Sequence, residues 1–344
     1  MESYYDWRFL LLSSIIALLC PVIAIVGAKP EFSKQLFRTF LMLILPLALC
    51  FALPWSISVG GSQLFARLVT PLSLFVLFLP FIIRNIHRII IISLVIISVF
   101  SAIQFRSNIA WIGMALVIAL LFYLLKNPAV RLLELIRKIL FFLPILLFIL
   151  GVTGVFNVFK FNDYVSWSPD TESEEFNDKL KVDTRTFLYS EVISSVIKHN
   201  KITFGESAVG KHETLYFKYT YNKQGGDRYA TETGILNIFL FGGVIAVLLY
   251  GILFYYASWV AVCKSRNNIS KAIGVFLAFR WLWMFVEEFT NYNMNYFFLW
   301  LLVGLCLSKT FRNMTNAEAK AWINNIFYRK DRYYVEDSSA NDRA

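Results

Sequence analysis

The stretch from Ile235 to Val262 reads ILNIFLFGGVIAVLLYGILFYYASWVAV, 28 residues without a charged side chain. A helix needs ~20 predominantly apolar residues to cross a hydrocarbon core, so this run is long enough to span a bilayer. It is not alone. Eight further runs read as candidate spans: Leu10–Ala28, Thr39–Val59, Val69–Ile83, Ile89–Phe105, Ile109–Leu125, Ile139–Phe159, Ala272–Val286 and Tyr292–Ser308. The chain of 344 residues is 58% hydrophobic and 16% charged, with mean hydropathy +0.59. A soluble domain is about 45–50% apolar and about 25% charged, which excludes a soluble enzyme, a secreted disulfide scaffold and a disordered chain. The first run reads as a span rather than a cleaved leader, because it is long and preceded by Glu2 and Asp6 rather than by basic residues. The expected fold is an all-α polytopic membrane protein with about nine spans.

The net charge of +10 points to topology before it points to a partner. Lys29, Lys34 and Arg38 lie in the first connection and Arg84 and Arg88 in the third. Lys126, Arg131, Arg137 and Lys138 lie in the fifth, and Lys264, Arg266 and Lys271 in the seventh. With the tail, these segments hold 19 Lys and Arg, against Arg8, Arg67 and Arg106 in the short segments opposite. Basic residues stay on the cytoplasmic side, so the amino terminus is expected outside and the carboxyl terminus in the cytoplasm. No nucleic-acid partner is needed to explain the charge. The four cysteines, Cys20, Cys50, Cys263 and Cys306, fall in apolar runs without metal spacing and read as small core residues.

On this reading the chain has four parts: a six-helix membrane part, residues 1–156; an extracytoplasmic loop, 157–233; three closing spans, 234–308; and a cytoplasmic tail, 309–344. The loop carries 10 Lys and Arg and 12 Asp and Glu. Its acidic stretch, Asp163 to Asp178, lacks EF-hand spacing, and neither a metal nor a cofactor is expected. Leu188, Val192 and Val196, with the neighbouring Ile193 and Ile197, form a helical apolar stripe between Arg185 and His199, predicting an amphipathic helix along the membrane surface, with His199 a surface residue at its end. In the tail, Thr315-Asn-Ala-Glu318 has the capping-box pattern. Trp322, Ile323, Ile326 and Phe327 follow it, then Arg329, Lys330 and Arg332, predicting a basic helix resting on anionic lipid.

The residues that break the bilayer pattern are the candidate site. Arg67 and Arg106 sit outside, where the orientation rule disfavours them. Arg280 interrupts an apolar span, where insertion of Arg costs roughly 2.5–3.5 kcal/mol and calls for a partner or polar cavity. Glu287 and Glu288 close the same span. With Arg185 and Arg228 from the loop, five guanidiniums are candidates to bind the oxygens of an anionic lipid headgroup such as a polyprenyl pyrophosphate.

The stretch Arg228-Tyr-Ala-Thr-Glu232-Thr-Gly234, followed by an apolar run with Gly242-Gly243, resembles the segment that re-enters the membrane after the large loop in Wzy-type O-antigen and capsular polysaccharide polymerases, within the O-antigen ligase-polymerase superfamily. Asp183-Thr-Arg185 with Phe204-Gly205-Glu206, Gly274 to Arg280, and Ser308 to Thr315 are similar to other parts of that family. The resemblance covers Asp183 to Glu318, while residues 1–160 share hydropathy, Arg67 and Arg106. This chain has fewer spans before its loop than family members often have. The related ligases carry a His-Asn pair shortly before the glycine matching Gly234. Here Tyr221-Asn222-Lys223-Gln224 has no histidine, and His212 lies too far upstream, which favours a polymerase over a ligase.

The resemblance implies a GT-C-like glycosyltransferase in the bacterial cytoplasmic (inner) membrane, its large loop periplasmic or extracellular. The implied donor is glycan on undecaprenyl pyrophosphate and the acceptor a lipid-linked repeat unit, with a flippase and a chain-length regulator as working partners. Arg67, Arg106, Arg185, Arg228 and Arg280 would stabilise the departing pyrophosphate. Glu232 and Glu191 are the candidates to orient or deprotonate the attacking hydroxyl, giving Glu232, Arg185, Arg228 and Glu191 as expected catalytic residues. Glu232 one turn from Arg228 is equally readable as a plain ion pair. A transporter or lipid flippase explains the spans and Arg280 as well, but accounts poorly for a 77-residue outer loop and predicts repeated halves that the sequence lacks.

Overall fold

In the computed structural model the described residues are 4–11, 18–51, 70–101, 106–152, 184–214, 227–286 and 294–328. Most of them are helical. The helices are α1 (Tyr4–Phe9), α2 (Leu19–Gly27), α3 (Pro30–Phe51), a 3-10 helix (Thr70–Phe81), α4 (Asn85–Ser101), α5 (Arg106–Leu125) and α6 (Val130–Val152). After these come α7 (Thr184–Lys198), β1 (His212–Glu213), β2 (Asp227–Arg228), α8 (Gly234–Cys263), α9 (Asn268–Trp283), α10 (Met294–Leu307), α11 (Lys309–Asn313) and α12 (Asn316–Asn325).

A helix stands within each of the nine apolar runs, but only α8, among the described residues, is both long and apolar enough to cross a membrane. Pro71–Phe81, Asn85–Val99, Ile109–Leu125 and Met294–Leu307 are shorter apolar helices. Only 22% of the most apolar window of α8 is buried, with Leu248, Leu249 and Ile252 among its exposed side chains. The core helix of a soluble protein would bury such a face. An apolar solvent explains it, and so do the exposed Leu135, Phe142 and Leu146 of α6.

The chain divides into two compact bodies, residues 1–14 with 139–251 and 284–290, and residues 15–138 with 252–283 and 291–344. In the second body the 3-10 helix is the centre. At ~2.0 Å rise per residue, its 12 residues reach about 24 Å, short of a bilayer core, so the span expected at Val69–Ile83 takes a different form. Leu72, Val76, Leu77 and Phe78 are buried around its circumference by α4, α5 and neighbouring helices. Phe37 stacks on Phe298 (centroids 5.6 Å apart) and meets Phe75 and Trp322 edge-on, adding directional contacts to the buried area.

One end of this body gathers the connections expected on the cytoplasmic side. The capping box of α12 forms as the sequence predicts, with Thr315 Oγ1 accepting from Glu318 N–H and Glu318 accepting from Thr315 N–H. Protein rather than lipid covers the apolar residues of this helix, while Arg329, Lys330 and Arg332 lie outside the described residues. Its apolar face is buried in protein: Trp322 Nε1 donates to the Pro30 carbonyl (2.9 Å) and packs edge-on against Phe311, while Phe327 stacks on His87. Asn324 Oδ1 accepts from Ile83 N–H (2.9 Å), and its amide donates to the Phe81 and Lys320 carbonyls. Arg38 donates to the Asn325 carbonyl, the Asn268 side-chain amide donates to the Lys126 carbonyl, and the Asn268 N–H donates to Asn316 Oδ1. Residues of the first, third, fifth and seventh connections and of the tail therefore meet at this end.

In the first body, Leu188, Val192 and Val196 are buried and α7 packs on β1. This part of the stripe expected to face the membrane surface is covered by protein instead, while Ile197 stays exposed. The acidic stretch 163–178 lies outside the described residues.

Candidate functional site

The site is built in the first body where the loop returns to α8. His212 and Glu213 pair antiparallel with Asp227 and Arg228, placing His212 directly opposite Arg228. Arg228 is 8% exposed and donates through Nη2 to Glu232 Oε1, so the ion pair readable from the one-turn spacing is present. Glu232 is only half-buried, leaving part of its carboxylate open.

Glu232 is held in place by the residues around it. Thr231 N–H donates to Asn237 Oδ1 (2.7 Å), and the Asn237 amide donates to the Thr231 carbonyl (3.0 Å). Thr231 Oγ1 accepts from Thr233 N–H (3.2 Å). This turn fastens residues 231–233 onto the first turn of α8, and Ile235 N–H donates to the Met284 carbonyl. Short polar side chains that bond the local backbone favour such helix starts over helix interiors. Asn237 is the one amide in the leading apolar stretch of α8, and this is the signal that sequence reasoning passed over.

His212 is the second residue missed. Its distance along the chain from Gly234 set it aside, yet strand pairing brings it to Arg228. It is fully buried, its ring held directly opposite Arg228. Burial, then the positive charge of Arg228, push its pKa down to about 4, so the ring is neutral at pH 7.

The surroundings are tied by further charges. Lys211 Nζ meets Asp6 Oδ1 at 2.8 Å, and Tyr229 donates to the same carboxylate at 2.7 Å. Burial opposes the charge on Lys211, but hydrogen bonds with Asp6 and Tyr229 outweigh it and raise its pKa above the usual lysine value. Phe9 stacks on Tyr229, so α1 and the loop belong to one structure. Glu191, from α7, accepts from Thr214 Oγ1 at 3.4 Å, just beyond β1.

The expected site residues distribute as follows. Arg228, Glu232 and Glu191 all belong to this body, with Arg228 and Glu232 in direct contact. Arg185 lies in the first turn of α7, as its helix-opening position predicts, and Arg106 opens α5; both side chains fall outside the described residues. Arg67, Glu287 and Glu288 fall outside them as well. Arg280 belongs to the second body, fully buried, with Nη1 donating to Asn295 Oδ1 (2.9 Å), the polar partner its burial demands. His199 is a surface residue that bonds Glu206, as expected at the end of α7.

Chemically, the arrangement offers a guanidinium, a carboxylate partner and a neutral imidazole side by side. Comparison of the chain with family models, with curated proteins and with solved structures gives no match.

Proposed function

We propose that the protein is a membrane glycosyltransferase that polymerises lipid-linked repeat units of a surface polysaccharide. Glycan passes from undecaprenyl pyrophosphate to the hydroxyl of another lipid-linked unit. The new glycosidic bond forms at the anomeric carbon as its bond to pyrophosphate breaks, and the hydroxyl proton leaves to a carboxylate. The observation that carries the reading is the Arg228–Glu232 pair, which joins an anion-binding group to a base at the start of the one helix, among the described residues, long enough to span. When pyrophosphate engages Arg228, Glu232 loses its partner and its carboxylate becomes available to the acceptor hydroxyl. Asn237 is a positioning residue, since it fixes the turn that carries Glu232.

The nine-span topology in the inner membrane, with the loop and amino terminus outside, belongs to the same proposal. It is supported by the contact of Asp6 with Tyr229 and Lys211, which requires α1 and the loop to share a side. Deletion in the host tests the function. A polymerase mutant retains single repeat units attached to their final acceptor and loses long chains. Loss of all attachment would instead identify a ligase, and accumulation of repeat units on the cytoplasmic face would identify a flippase.

A further inference from the structure

Helix α8 is broken at Gly243, whose backbone adopts φ 63° and ψ −162°. A break frees backbone groups that hydrocarbon cannot satisfy, so at membrane depth it needs protein partners. The partners are residues 202–206 of the loop. Val244 N–H donates to the Ile202 carbonyl (2.9 Å), Ile245 N–H to the Thr203 carbonyl (3.3 Å), and Glu206 N–H to the Leu240 carbonyl (2.7 Å). The seat admits no side chain. A Cβ on Gly205, itself at φ 71°, would stand 2.6 Å from Gly242 N, and one on Gly243 would stand 2.4 Å from the Thr203 carbonyl carbon.

The depth of this seat follows from helix geometry. The 30 residues of α8 extend about 45 Å at ~1.5 Å per residue, against a hydrocarbon core of ~30 Å. With the surplus shared between the two ends, the break at Gly243 lies roughly 6 Å below the outer border of the hydrocarbon. The loop that fills it turns apolar side chains outward: Phe204 is 72% exposed and Ile202 44%. They continue the exposed face formed by Val244, Ile245, Leu248 and Leu249. Lys201 stands exposed at the base of the loop. The His199–Glu206 bond closes the loop across its neck.

We propose that residues 201–206 are a membrane-inserted loop that seats in the break of α8 and contacts the acyl chains of the outer leaflet through Ile202 and Phe204. The inference rests on α8 crossing a bilayer with the loop on the outer side, and not on the polymerase activity. The loop thus anchors the segment between α7 and β1 to the lipid surface, a few residues from His212 and Arg228.

Spin labelling of the full chain in phosphatidylethanolamine and phosphatidylglycerol vesicles tests it. Phe204→Cys and Ile202→Cys variants carry the label at the loop, and Glu213→Cys carries it at an exposed position of β1. The parent chain, with its native cysteines, sets the background. The expected result is a several-fold higher ratio of oxygen to nickel-chelate collisions at 204 and 202 than at 213. A ratio at both loop positions equal to that at 213 places the loop in water and overturns the proposal. Gel filtration selects folded variants, and either loop position alone suffices if the other fails to fold.

Discussion

Lowering the pH should loosen the body that carries the site through a single residue, His212. Its ring is fully buried beside Arg228, with its pKa pushed from 6.5 to about 4. The unfolded segment therefore binds a proton at higher pH than the folded one. Between these two values the unfolded state holds more protons, so stability rises with pH; it is complete above about 6.5 and falls as the pH drops toward 4. The full difference is roughly 3 kcal/mol at ~1.36 kcal/mol for each pH unit. At about pH 5 it is roughly 2 kcal/mol, or ~30-fold in the equilibrium constant for local opening. Amide hydrogen exchange in detergent micelles, corrected for intrinsic rates, measures that constant for residues 212–214 and 227–233. His212→Phe keeps the ring and removes the proton site, so its opening constant should change little over the same range from this source. Equal pH slopes in parent and variant would refute the burial argument.

Other consequences concern the packing. Asn324→Leu leaves the buried Ile83 N–H and Phe81 carbonyl without their partner and should cost about 2–4 kcal/mol, read as a lower unfolding temperature in detergent. An unchanged temperature would mean that α12 does not clamp the third connection. Thr315→Ala removes the reciprocal cap and should cost about 1 kcal/mol in the same assay, with Thr315→Ser nearly neutral. Gly205→Ala forces a side chain into a left-handed position, worth about 1–3 kcal/mol, and against the backbone of α8. Faster exchange at the Val244 and Ile245 amides is expected, and unaltered protection there would show that the loop is not seated as described.

The helical content was legible in the sequence because long apolar runs have one local solution: their backbone groups must bond within the segment. The gathering of odd-numbered connections with the tail was legible too, since the charges of Lys126, Arg266 and their neighbours mark it. What local pattern could not decide was which surface covers an apolar stripe. Trp322, Ile323 and Phe327 suit lipid and protein equally, and the partners that bury them, Pro30, Phe37 and His87, are remote in sequence. The stripe of α7 fails for the same reason. The 3-10 form of Thr70–Phe81 was hidden because its composition is that of an apolar helix. At the site, the Arg228–Glu232 contact followed from spacing alone. His212 required knowledge of a strand register across the thirteen residues between the two strands, which carry no strong turn signature before Gly225-Gly226. Asn237 looked like an isolated polar residue until the turn it ties was placed.

On the proposed reading, Arg228 serves a lipid-pyrophosphate donor in polymerisation. The direct measurement is product laddering by purified protein reconstituted with lipid-linked repeat units and no nucleotide sugar. The wild-type chain is expected to yield a ladder of lengths with release of undecaprenyl pyrophosphate. The Arg228→Ala variant, folded by gel filtration, is expected to yield none. A ladder of normal length from that variant, or no ladder from folded wild-type protein supplied with its own host's repeat unit, would contradict the account.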